Sequence, residues 1–268
     1  MDQVTAYHPR LDRRAAYALL CVAVLAEILM WTEPAVGLAA HGAVLIGVAV
    51  ALTAAPETLP ESGFVEPGDR PATLAASLIP ISVARMTFAV LGTSTWPRAG
   101  LLLMVAAVGL ASLIAAMRSA GITISDIGLE SDFRVVEFLA IAAALPAGIA
   151  LAGSVPEQLM AYQSASVAVV IVTTVAVTIA AFVDELIYRG MLQTAVAPLG
   201  ANFGAVLVGA IYALGFAAMW PARWIVLFGL WGLLLALWRE ASGSIVGPAA
   251  AAASFAVGLL AVGPAVLG

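Results

Sequence analysis

Two acids and an arginine, Asp184, Glu185 and Arg189, close one of the most apolar stretches of the chain. From Val167 to Val183 no side chain is charged, and then three charges arrive within six positions. Charge set against a membrane-length apolar segment is costly and usually serves a purpose. On a helix, Glu185 and Arg189 stand four apart on one face, so the guanidinium can hold the carboxylate in one rotamer and keep it ionised. Asp184 points about 100° away and serves a different partner. A fixed carboxylate beside a membrane cavity can act as a general base toward water, given a polarising partner for the substrate carbonyl. The same spacing also describes a plain i,i+4 ion pair at a helix end, worth roughly tenths of a kcal/mol. Spacing alone favours the plain pair.

The elements that must position these residues are membrane helices. Of 268 residues, 63% are hydrophobic and only 10% charged; mean hydropathy is +1.08. Soluble domains carry about 25% charged residues, so the composition describes an all-α polytopic membrane protein. No polar stretch is long enough to fold alone. Apolar segments predict spans over 15–31, 35–54, 72–92, 99–117, 135–152, 164–183, 201–219, 224–238 and 245–262, a bundle of eight or nine helices. The last segments are short and are expected to be tilted, broken or re-entrant. The stretch from Pro56 to Pro71 reads as a loop rich in proline and acid.

Arginine is the only strong base; there is no lysine. With the N-terminus in the cytoplasm, Arg10, Arg13, Arg14, Arg70, Arg118, Arg134, Arg189 and Arg239 fall on the inner side, and Arg98 and Arg223 on the outer. That places the Asp184–Arg189 cluster at the cytoplasmic end of its helix. The first apolar segment is expected to remain as an uncleaved helix, since further spans follow it. The net charge of −5 gives no sign of nucleic-acid binding. The single cysteine, Cys21, permits no intrachain disulfide and reads as a small hydrophobe.

Three further features lie inside spans. Glu27 and Arg85 are charges in apolar helices, read first as an ion pair that fixes packing and second as a polar cavity wall. His41 is expected to bond a backbone carbonyl rather than act as a ligand or proton carrier. Ala201, Ala205, Gly209, Ala213 and Ala217 repeat every four residues, a stripe that lets another helix approach closely.

The run Asp184-Glu185-Leu186-Ile187-Tyr188-Arg189-Gly190 resembles the Glu-Glu-x-x-x-Arg-Gly signature of the CPBP intramembrane proteases, which include the CAAX-processing and bacteriocin-processing proteins. Ile124-Ser125-Asp126-Ile127-Gly128-Leu129 is similar to the polar linker that precedes that family's core. Leu199-Gly200 and Ser242-Gly243-Ser244-Ile245-Val246-Gly247-Pro248 fit the family's later landmarks. The resemblance runs from about Ile122 to the C-terminus, dividing the chain into N-terminal helices (1–121) and a CPBP-like core (122–268). It implies an intramembrane endopeptidase in a bacterial plasma membrane, with Glu185, Asp184 and Arg189 at its centre and Tyr188 and Tyr212 close by.

The departures from that pattern are specific. Asp184 replaces the first glutamate and withdraws the carboxylate by one methylene. The family's Phe-x-x-x-His motif aligns with Tyr212 and Phe216, so phenylalanine stands at the histidine position. Its His-x-x-x-Asn/Asp motif aligns with Ala252 and Ala256. The only histidines are His8 and His41, neither near these motifs. Losing an oxyanion donor costs about 10²–10³ in rate, and losing acid–base help about 10²–10⁴. Two adjacent carboxylates without histidine make a poor metal site, so no metal or cofactor is expected. The sequence therefore reads as a CPBP-type scaffold with an impaired reaction centre, one that binds a membrane peptide or partner protein within the lipid bilayer. Two other readings remain. One is an active endopeptidase with Glu185 as general base and Tyr188, Tyr212 or Ser254 converging on it. The other is a transporter subunit with Glu27, Arg85, Asp184 and Glu185 lining a polar path.

Overall fold

A computed structural model describes residues 13–54, 71–91, 98–129, 135–156, 166–217 and 220–267. His8, Arg10 and the 56–70 loop lie outside them. Among the described residues there are nine helices and no strand. In chain order they are α1 (Arg13–Thr32), α2 (Pro34–Ala54), α3 (Pro71–Leu91), α4 (Arg98–Ala120), α5 (Val135–Ala152), α6 (Val167–Leu199), α7 (Ala201–Ala217), α8 (Ala222–Ser242) and α9 (Val246–Leu267). Seven are long and apolar enough to cross a membrane by length and composition; α5 and α7 are shorter. In lipid every backbone polar group must be satisfied within the segment, so long apolar stretches fold as helices. The expectation of several short C-terminal segments holds only for α7, because α8 and α9 extend for 21 and 22 residues.

Local signals set the ends. Pro34 and Pro71 open α2 and α3, where the missing N–H is no loss. Ser166 caps α6, its hydroxyl oxygen accepting from the Val169 N–H at 3.4 Å. Gly243 closes α8 in the left-handed region at φ 73°, its N–H donating to the Arg239 carbonyl at 2.8 Å.

Small residues set the packing distances. Helices α1 and α2 form a hairpin broken only at Glu33, and a Cβ on Gly37 would come within 2.8 Å of the Met30 Cα. Helix α3 packs on α1, α2 and α4, α4 on α6, and α9 on α5 and α6. The stripe of small residues works as expected. Ala205, Gly209, Ala213 and Ala217 are buried, and a Cβ on Gly209 would stand 2.9 Å from the Leu233 backbone nitrogen of α8. Only Ala201, at the helix start, is exposed.

Helix α6 organises the whole. Its first half has Val167, Ile171, Val172, Val175, Ile179 and Phe182 on the outside, as a lipid-facing helix requires. From Val183 to Val196 every side chain is buried except Asp184, which is partly buried. The expected end of this span at Val183 is therefore corrected: the helix runs on through the charges to Leu199, 33 residues in all. At about 1.5 Å per residue that is some 50 Å, longer than the ~30 Å hydrocarbon layer. The charges do not end the helix, because Glu185 and Arg189 pair within it and Arg189 also reaches a backbone carbonyl of α8. Leu186–Leu192 is a π-helix, in which the Gln193 N–H reaches back five residues to the Tyr188 carbonyl. Such wide turns concentrate at functional sites.

Candidate functional site

Two polar side chains one turn apart, Arg189 and Gln193, fasten α6 to α8, with Glu185 one turn before them holding the arginine. Arg189 Nη1 donates to Glu185 Oε1 at 2.9 Å, and Nη2 donates to the Gly232 carbonyl at 3.0 Å. One turn on, Gln193 Nε2 donates to the Ala236 carbonyl at 2.9 Å and to Glu240 Oε2 at 3.1 Å. The spacing of four on both helices keeps the ladder in register. Gly232 makes it possible, because a Cβ there would sit 2.9 Å from Arg189 Nη2. The guanidinium also lies over the Tyr212 ring at 4.1 Å. Glu185 and Arg189 are both wholly buried. Among the described residues no donor reaches Glu185 Oε2.

A second polar chain ties the N-terminal helices to the same segment. Arg85 Nε donates to Glu27 Oε1 at 2.9 Å, and Arg85 Nη2 donates to the Tyr188 hydroxyl at 2.9 Å. The guanidinium passes over Gly215 of α7, in the place a Cβ would occupy. His41 Nε2 stands 4.0 Å from Glu27 Oε1, and its Nδ1 is 3.2 Å from Ser82 Oγ. The sequence paired Glu27 with Arg85, and the structure agrees. The carbonyl expected for His41 is corrected: its hydrogen-bonding neighbour is the Ser82 hydroxyl of α3, set one helix away by tertiary packing.

The landmarks at 124–129 and 242–248 meet at the far side of the π-helix. A Cβ on Gly190 would lie 3.3 Å from Ile127 and 3.7 Å from Ile245, so the motif glycine lets these loops close over α6. Ile245 N–H donates to the Gly128 carbonyl at 2.9 Å, with Gly128 at φ 77°. Thr194 Oγ1 donates to Gly190 O at 2.6 Å and accepts from Arg239 Nη2 at 2.8 Å.

Asp184 stands apart from all of this. It lines a cavity of about 110 Å³ between α4, α6, α7, α8 and α9. Tyr212, Phe216, Ala252 and Ala256 lie in the same wall. The positions aligned with the CPBP motifs thus converge on one cavity, with Asp184 as the only carboxylate among its described lining residues. Glu185 does not line it. Nor do the expected hydroxyls gather on Glu185: Tyr188 gives its oxygen to Arg85, and no hydrogen-bond donor meets the free carboxylate oxygen. Of the residues singled out for chemistry, Glu185, Arg189 and Tyr188 are held in buried bonds, while Asp184 and Tyr212 face open space. The sequence did not single out Gln193, a Gln one turn beyond Arg189, or the aromatic side chains Trp220, Phe228, Trp231 and Phe255 of the cavity. The i+4 spacing from Arg189 could have found the first. Among the described residues no three His, Cys, Asp or Glu side chains converge as a metal-binding group.

The long apolar helices describe an all-α integral membrane protein. The family model described as type II CAAX prenyl endopeptidase Rce1-like matches residues 165–257, and over that segment the resemblance read from the motif is shown. The matched segment holds α6, α7, α8 and the start of α9, the helices that carry Asp184, Tyr212, Phe216 and Ala252. No curated protein and no solved structure gives a significant match.

Proposed function

We propose that this protein is a catalytically impaired, CAAX-protease-like receptor for a membrane peptide or a partner protein's membrane segment. It would work in a bacterial plasma membrane with its N-terminus in the cytoplasm; the arginine distribution supports that orientation. One observation carries the reading. The cavity that corresponds to the family's reaction centre presents Phe216 and Ala252 where histidines align, and Glu185 is turned away into a buried ion pair. What is left around Asp184 is an apolar recess suited to binding and poorly supplied with proton donors. The apolar side chains of a membrane segment fit it, and the bilayer delivers them.

Two assays test this. Purified protein in liposomes, given a prenylated C-terminal peptide, is expected to cleave no faster than its Glu185→Ala variant. Turnover that depends on Glu185 or Asp184 would contradict impairment. A photo-crosslinking amino acid at position 216 is expected to trap a membrane polypeptide, and a clean protein after illumination would contradict binding. The alternative of an active endopeptidase rests on one fact, that the Asp184 carboxylate does face the cavity.

A further inference from the structure

The cavity has an unusual wall. Six aromatic side chains line it: Tyr212, Phe216, Trp220, Phe228, Trp231 and Phe255. They are ordered by contact with each other. Tyr212 meets Phe216 edge-on at 5.0 Å, Phe216 meets Phe228 at 4.4 Å, and Trp231 stacks on Phe255 at 4.9 Å. Among the described residues only one formal charge lines the space, that of Asp184.

The charge balance around it is equally specific. The two arginines whose fields reach Asp184 are Arg85 and Arg189. Each is already bonded to another carboxylate, Arg85 to Glu27 and Arg189 to Glu185, both at 2.9 Å. Neither arginine contacts Asp184, because each guanidinium is committed to its own glutamate. Among the described residues Asp184 has no salt bridge or hydrogen bond of its own. A carboxylate placed in apolar surroundings without a counter-ion favours a ligand that brings one. Aromatic faces carry negative potential and attract cations, most strongly when water is excluded. A wall of rings with one carboxylate selects a positive charge that is weakly hydrated and carries its own apolar surface.

From this geometry we infer that the cavity binds an apolar ammonium ion, its charge against Asp184 and its alkyl groups against the aromatic wall. The inference concerns the same cavity as the binding reading above and goes beyond it, assigning the recess a second class of occupant. The shared chemistry is a quaternary or alkylated ammonium; it can belong to a small soluble cation or to a single-tailed amphiphile in the bilayer.

The test uses the full chain purified in a maltoside detergent, which carries no ammonium group. Labelled choline is applied in equilibrium dialysis, with 3,3-dimethylbutan-1-ol as the uncharged competitor of the same shape. Saturable, one-to-one binding of choline is expected, with no displacement by the alcohol. Asp184→Asn is expected to weaken binding at least tenfold and Asp184→Glu to restore most of it. Trp231→Leu should weaken it severalfold, because an aromatic side chain of the wall is lost while the charge stays. Dodecyltrimethylammonium is tested in parallel against dodecanol. Asp184-dependent binding of the amphiphile alone assigns the ligand to the bilayer, and binding of both admits soluble cations. Competition by the neutral alcohols, or binding unchanged in a folded Asp184→Asn protein, overturns the inference. If neither ammonium binds while the crosslinker at position 216 still traps a polypeptide, only the ammonium assignment fails and the peptide-binding reading stands.

Discussion

The Glu27–Arg85 chain and the Glu185–Arg189 ladder solve the same problem in different ways. Both place a carboxylate and a guanidinium 2.9 Å apart within the apolar bundle. The ladder is local: its pair is four residues apart on one helix, fully buried, and its arginine is pinned to a backbone carbonyl of α8. The N-terminal chain is long-range: Glu27 and Arg85 come from α1 and α3, 58 residues apart, and Arg85 is slightly exposed. It then reaches across Gly215 to Tyr188. The ladder fixes α6 against α8, and the chain fixes the N-terminal helices against α6. Both neutralise charge, and together they leave Asp184 as the acid that faces open space. The comparison teaches that charge in this core is mostly architecture, and that the residue available for ligands is the one the architecture leaves unpaired.

Breaking the ladder should have the largest effect. Arg189→Ala leaves Glu185 buried without a partner, and removing one member of a buried pair costs about 3–5 kcal/mol. Unfolding in detergent, followed by size exclusion, is expected to show that loss. The double change Glu185→Leu with Arg189→Met should recover much of it, since a well-packed apolar substitute for a buried pair is often neutral.

Breaking the chain should cost less. Gly215→Ala puts a methyl group where the Arg85 guanidinium lies, and Arg85 must leave Tyr188 to make room. Overpacking of this kind costs about 1–3 kcal/mol. Tyr188→Phe deletes only the hydroxyl that accepts from Arg85, while the bond to Glu27 remains. A loss of about 1 kcal/mol is expected. A Gly215→Ala/Tyr188→Phe double mutant should lose less than the sum of the two, because both act on one bond. Full additivity in thermal unfolding would show that Arg85 does not couple the two helices.

The smallest expected effect on stability is that of Asp184→Asn. No hydrogen bond or ion pair is lost and an uncompensated carboxylate is removed from apolar surroundings, so the variant should be as stable as wild type or slightly more stable.

Several parts of this arrangement were legible in the sequence. Nine apolar segments gave nine helices, because a bilayer leaves the backbone no other way to satisfy itself. The Glu185–Arg189 pair follows from a spacing of four on one helix. Glu27 and Arg85 could be matched because they are the lone charges in their spans. The stripe from Ala205 to Ala217 announced its close contact with α8. Other parts were not legible, for physical reasons. Hydropathy stops counting at a charge, so the continuation of α6 beyond Val183 was hidden; only the packed fold shows Glu185 and Arg189 paired and Arg189 bonded to α8. Which of two adjacent acids faces a cavity depends on the turn they sit on and on the helices packed around it. The Ser82 neighbour of His41 is 41 residues away, with no periodicity to betray it. The aromatic wall draws on α7, α8 and α9 and the turn at Trp220, and it exists only after those elements pack.

The central claim is that Glu185 holds the fold and Asp184 serves the cavity. The most direct measurement compares Asp184→Asn with Glu185→Gln in one preparation, reading thermal stability and the yield of the position-216 crosslink together. The account predicts that Asp184→Asn unfolds at or slightly above the wild-type temperature and loses crosslinked partner. It predicts that Glu185→Gln unfolds earlier, while its folded fraction still crosslinks. A Glu185→Gln protein that is as stable as wild type but has lost its partner, or a peptide-cleaving activity, would contradict it.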